Sequence, residues 1–162
     1  MKRIIAFLLC VVLSLTSLVF NVSAANEDEF TPYVIDFVVT TEIDDVTLAD
    51  NETRASGLIM IYSLSLSKTG TTLKLSGKTQ CSEEVIKCGF KNLVVERRKT
   101  SSDSWEEYYD YGNVYVDGNI ANLSTTLAVA SGYQYRLSCK HYAKKSLLST
   151  QTVSNTSNSV TV

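Results

Sequence analysis

The chain has 162 residues, 44% of them hydrophobic and 20% charged, with a formal net charge of −2. That size suits one domain with one core, and a charge so near zero is not that of a nucleic-acid binder. A single histidine and a single proline leave few places for imidazole chemistry.

Residues 1–24 read as a secretory signal peptide. Lys2 and Arg3 form the positive start, Ile4 to Phe20 the apolar core, and Val22-Ser23-Ala24 the small-residue cleavage site. The mature chain is therefore expected to be secreted and extracellular. Removal of Cys10 leaves Cys81, Cys88 and Cys139. Residues 25–54 form an acidic leader or linker. Nine acids and no base stand between Ala25 and Thr53, whereas Ala55 to Val162 carries twelve bases against eight acids. Within the leader, "YVIDFVVTT" has the alternation of one strand, with Tyr33, Ile35, Phe37 and Val39 on one face. A flexible acidic leader is expected to lie over basic patches such as Arg97–Arg98–Lys99 and Lys140–Lys144–Lys145, or else to act as an inert tether.

From residue 55 onward the apolar period is two. Leu64 and Leu66 alternate with serines in "YSLSLSK", Leu73 and Leu75 alternate with Lys74 and Ser76 in "TLKLSGK", and "SKTGTT" between them supplies a turn. Further strands are expected at "FKNLVVERRK", "WEEYYDY", "NVYVDG", "ANLSTTLAV", "YQYRLSCKHY", "STQTVS" and "NSVTV". No helical stripe competes. Many short strands with turns between them predict an all-β fold, a single antiparallel β-sandwich over residues 55–162.

Two stretches resemble the fibronectin type III and immunoglobulin-like sandwich. In "LAVASGYQYRLSCKHYA", Leu127 precedes Tyr133 by six residues and the alternation runs on through Tyr135, Leu137 and Cys139. This is similar to an E-to-F turn with its tyrosine corner, and it implies that the Tyr133 hydroxyl bonds back to nearby backbone. In "GFKNLVVERRKTSSDSWEEY", Phe90, Leu93, Val95 and Trp105 resemble strand C, a polar hairpin and strand C′. The strand B tryptophan and the proline before the E–F turn are missing. The whole of residues 54–162, with "RASGLI", "KCGF", "RRK", "SGYQY" and "CKHYAKKS", also resembles a family of small secreted proteins of Gram-positive, clostridia-type bacteria. That resemblance implies export and a β domain and supplies no catalytic residue.

The sandwich resemblance places strands C and F side by side, and so implies a Cys88–Cys139 disulfide. A local Cys81–Cys88 staple around "SEEVIK" and the absence of any bridge remain alternatives. His141 stands two residues after Cys139, about 6.6–6.8 Å away on a strand, too far for a catalytic thiol–imidazole pair. One histidine with scattered cysteines does not make a zinc set either. His141 is therefore expected to be a strand-end residue beside Lys140, Lys144 and Lys145.

The segment "WEEYYDYGNVYVDGN" concentrates aromatics. Alternation puts Trp105, Glu107, Tyr109 and Tyr111 on one face and Glu106, Tyr108 and Asp110 on the other. Trp105, Tyr108, Tyr109 and Tyr111 form a candidate binding surface, set against the plainer reading that they are core and cross-strand packing. The spacing of Asp110, Asn113, Asp117 and Asn119 does not match a calcium loop.

These features favour a secreted, non-enzymatic module, a monomer without cofactor, that binds an extracellular protein, a glycan or a cell-wall polymer. The alternative is an antimicrobial or toxin-like protein whose acidic leader is removed. A secreted hydrolase would need a nucleophile–base–acid set that the sequence does not display.

Overall fold

The structure is a computed structural model that describes residues 30–41 and 52–162. The expected signal peptide, its cleavage site and much of the acidic leader lie outside the described residues. Ten strands make up the described chain: β1 (Tyr33–Thr40), β2 (Thr53–Arg54), β3 (Ile59–Thr69), β4 (Thr72–Cys81), β5 (Lys87–Arg98), β6 (Glu106–Asp117), β7 (Ile120–Ala128), β8 (Gln134–Lys144), β9 (Thr150–Thr156) and β10 (Val160–Thr161).

They form two antiparallel sheets. The first runs β1-β7-β4-β3-β2 and the second β10-β8-β5-β6, with β9 also on β8. β9 and β10 share one edge of β8. β10 pairs with Tyr135 and Gln134, and β9 pairs from Ser138 to Lys144.

Period-two alternation explains why these segments face one another. Leu64 and Leu66, Leu73 and Leu75, and Leu123 and Leu127 turn inward from the first sheet. Phe90, Leu93, Val95, Tyr135 and Leu137 meet them from the second, and all belong to one buried cluster. A fully buried aliphatic or phenyl side chain contributes about 1.5–3 kcal/mol, so this single core is the main driving force.

The sheets are closed along both sides. Side-chain amides stand in for a missing strand pairing on one side. Asn158 donates to the Leu66 carbonyl at 2.9 Å and accepts from its N–H at 3.4 Å, while Gln151 accepts from Ile59 N–H at 2.9 Å and donates to the Ser56 carbonyl at 3.0 Å. On the other side β1 pairs along β7, and the Phe37 ring stacks on Tyr111 of β6 at 5.5 Å. The described part of the acidic leader thus contributes β1, on the segment where alternation predicts a strand, and the two-residue β2, which pairs with β3.

Two expected strands, "WEEYYDY" and "NVYVDG", are one. Gly112 is absorbed as an irregularity within β6, at φ +70°, with its N–H donated to Asp110 Oδ1 at 2.6 Å. A turn glycine and a bulge glycine need the same positive φ, so the residue alone does not separate them.

Candidate functional site

The aromatic segment is sorted by these irregularities. The register between β5 and β6 shifts near Leu93 and again between Val95 and Glu96. Strict alternation therefore fails. Tyr108, Tyr109 and Tyr111 all pack, half-buried, against the core. Tyr108 meets Tyr135 edge-on at 5.3 Å, and Tyr109 meets Tyr111 at 4.8 Å. Burial pushes the Tyr111 hydroxyl up to about 12. Of the four candidate surface residues, only Trp105 stands apart from that packing.

Trp105 lies just before β6, against the outward face of the second sheet. The guanidinium carbons of Arg98 and Arg136 are each 4.4 Å from its ring centre. Those guanidiniums are held in place from the side: Arg136 Nε donates to Glu96 Oε2 at 2.7 Å, and Arg98 Nε donates to Gln134 Oε1 at 2.9 Å. Cation–π attraction of this kind contributes about 0.5–2 kcal/mol and fixes the indole without burying it fully.

A second aromatic pair marks the far end of the same face. Tyr115 of β6 and Tyr142 of β8 meet at 4.8 Å across Gly89 of β5, which pairs with both. A side chain at Gly89 would fill this crossing: a Cβ there would lie 2.2 Å from the Val114 carbonyl oxygen. Arg136 and Tyr142 are six residues apart on β8, about 20 Å at strand rise. Between the two ends is a shallow groove of about 330 Å³, lined by Val94, Glu96, Glu107, Ser138, Lys140 and Ser154 among others. Tyr142 and Arg136 escaped the sequence reading, and Arg98 entered it only as part of a basic patch. The signal was present, because Arg136, Ser138, Lys140 and Tyr142 alternate with the inward Tyr135, Leu137 and Cys139, but the partner strands were needed to show what joined them.

His141 is not a strand-end residue among lysines. It is fully buried, with its ring 5.0 Å from Tyr62 and 5.5 Å from Phe90. β8 continues to Lys144, so His141 sits inside the strand with inward parity. Its two nitrogens close a chain of bonds. Asn155 Nδ2 donates to Nε2 at 3.3 Å, Nδ1–H donates to Thr79 Oγ1 at 2.7 Å, and Thr79 Oγ1 donates to the Gly89 carbonyl at 3.2 Å. The Asn155 donor assigns the proton to Nδ1. Burial lowers the imidazole to about 4, so it is neutral near pH 7. The ring holds the two sheets together.

The expected Cys88–Cys139 bridge is absent: all three described cysteines are free and buried. The reason is register. Cys88 pairs with Ala143, four residues beyond Cys139. β5 and β8 do pair side by side, but the offset of about 13 Å exceeds the reach of a disulfide. Burial pushes the Cys139 thiol up to about 12. The hydroxyl-to-backbone bond expected of Tyr133 is made two residues later. Tyr135, not Tyr133, donates its hydroxyl to backbone, to the Ala130 carbonyl at 2.8 Å. Tyr133 precedes β8 and packs instead under Arg97, whose guanidinium carbon is 4.7 Å from the ring.

The described parts of the leader pair with β7 and β3 in the first sheet, whereas Arg97 and Arg98 belong to β5 in the second. Among the described residues, no group of three or more His, Cys, Asp or Glu stands together as a metal set. No protein-family model, no curated protein and no solved structure matches the chain.

Proposed function

We propose that this is a secreted, non-enzymatic module of the fibronectin type III/immunoglobulin-like sandwich class. In this reading it binds an extracellular protein, glycan or cell-wall polymer through the outward face of β6, β5, β8 and β9. The observation that carries the reading is the pair of aromatic ends on that face, Trp105 over Arg98 and Arg136, and Tyr115 against Tyr142, with a polar groove between them. Flat rings held in place at low entropic cost, flanked by hydrogen-bonding groups, suit an extended ligand. The class is supported by the strand order, β7-β4-β3 against β6-β5-β8-β9, and by the Tyr135 hydroxyl on the Ala130 carbonyl.

The pairing of β1 along β7 favours a leader that belongs to the domain over a leader made to be discarded. That ranks the module above the antimicrobial or toxin-like alternative.

The test is calorimetric titration of the secreted protein with soluble cell-wall polysaccharides and extended peptides, repeated on Trp105→Ala and Tyr142→Ala. For any ligand bound by the parent, both variants are expected to bind at least about tenfold more weakly. Unchanged affinity in both, with an unchanged far-ultraviolet spectrum, would remove this face from consideration.

A further inference from the structure

Cys81 ends β4 in the first sheet, and Cys88 is the second residue of β5 in the second sheet. Only the turn from Ser82 to Lys87 separates them, and both side chains enter the common core, with exposures of 3% and 0%. The Cys88 sulfur reaches back toward β4, 4.0 Å from the Thr79 carbonyl oxygen, and Cys81 and Cys88 belong to the same buried cluster. Thr79 and Cys81 share the inward parity of β4, so Cys88 addresses the strand face from which Cys81 projects.

Access differs between the two. Cys81 lines a depression of about 710 Å³ together with Met60, Gln80, Glu83, Glu84 and Asn119. Cys88 is not among the residues lining that depression. The neighbouring Cys88 thiol holds the Cys81 thiol below its ordinary range, while Cys81 in turn and burial push the Cys88 thiol up. Cys81, the one that borders the depression, is thus placed as the attacking thiol and Cys88 as the resolving thiol beside it.

We propose that Cys81 and Cys88 are a redox site of this protein, closing to an inter-sheet disulfide by exchange with a low-molecular-weight disulfide while Cys139 stays reduced. The Cys81 thiolate attacks one sulfur of the small disulfide, whose S–S bond breaks and releases one small thiolate. The Cys88 thiol then gives up its proton and attacks the Cys81 sulfur, expelling the second small thiolate. The two protons lost by the protein end on the two released thiols. One S–S bond is consumed and one is formed, the protein being oxidised and the small disulfide reduced. The bridge ties β4 to β5 at the end of the molecule where the β6–β7 turn lands, since Cys81 N–H donates to the Asn119 carbonyl at 2.8 Å and Gly118 N–H to the Ile86 carbonyl at 2.9 Å.

The folded, reduced protein is incubated with oxidised glutathione, acid-quenched, alkylated and digested without reductant. The expected result is a Cys81–Cys88 linked peptide, a loss of two titratable thiols per molecule, and Cys139 recovered in the alkylated form. An unchanged thiol titre, a bridge containing Cys139, or stable glutathione adducts on Cys81 and Cys88 with no bridge would each overturn the proposal. Because the readout is taken on the unmutated chain and needs no ligand, it stands or falls separately from the binding face.

Discussion

The two sheets obey the same period-two rule and put it to different uses. On β3 and β4 the first turns leucines inward, with Ser63 and Thr79 buried beside them, and sets mostly hydroxyls and lysines outward. Its outer face carries pairs such as Ser65 and Ser76, whose hydroxyls meet at 2.7 Å. The second is mixed on both faces. Inward it sets Phe90 and Leu137 beside a buried tyrosine, a histidine and two cysteines, and outward it mounts Trp105, Tyr115 and Tyr142 among arginines and glutamates. Alternation guarantees a buried face and an exposed face but says nothing of what each does. Aliphatic residues inside and hydroxyls outside give a support that tolerates change. Polar groups inside must each be satisfied, and the proposed binding face lies outside, so the second sheet is where substitution should be felt.

The largest expected effect tests the crossing at Gly89. Its φ of +147° disfavours any side chain, and an added Cβ would meet backbone at 2.2 Å from the Val114 oxygen, with Tyr115 Cα at 2.9 Å. Gly89→Ala is expected to cost more than about 3 kcal/mol in urea unfolding, because the β6 backbone at Val114 and Tyr115 must move. A loss under about 1 kcal/mol would mean that the β5–β6 pairing is looser than drawn.

Acid should come next. The buried His141 is neutral with its imidazole lowered to about 4 from 6.5, so between those values the unfolded chain binds a proton that the folded one does not. Stability therefore rises with pH across that window and is lost as pH falls from 6.5 toward 4, by on the order of 3 kcal/mol. His141→Gln should flatten that part of the profile, whatever it costs at pH 7. An equally steep profile in the variant would assign the acid sensitivity to carboxylates instead.

Tyr135→Phe removes the hydroxyl that Ala130 accepts and is expected to cost about 1 kcal/mol, measured by thermal or urea unfolding. The same change at Tyr133 should cost less, which would locate the corner at position 135. On the first sheet, Ser65→Ala should stay within about 0.5 kcal/mol and leave ligand affinity unchanged. A larger loss there would blur the contrast between the two sheets.

What the sequence determined by itself was local. Alternation in "YSLSLSK", "TLKLSGK" and "YRLSCKHY" identifies strands and their inward leucines, because side chains on a pleated strand can point only two ways. In β1 it places a strand but not its faces: Tyr33, Ile35 and Phe37 are exposed while Val34 and Val39 pack on the core, across a register shift between Val34 and Asp36. Tertiary structure decided everything that depends on register. Three register shifts between β5 and β6 turned Tyr108, Tyr109 and Tyr111 toward one core and left Trp105 outside, and a bulge reverses parity without changing composition. A four-residue offset on β8 separated Cys88 from Cys139, while the short turn from β4 to β5 puts Cys81 and Cys88 into one core cluster. Length decided His141. β8 extends three residues past it, so a residue that looks like the wet end of a strand among lysines is enclosed by Tyr62, Phe90, Thr79 and Asn155, contributed by four other strands. Such enclosure is the sum of contacts distant in sequence, and no window of a few residues contains it.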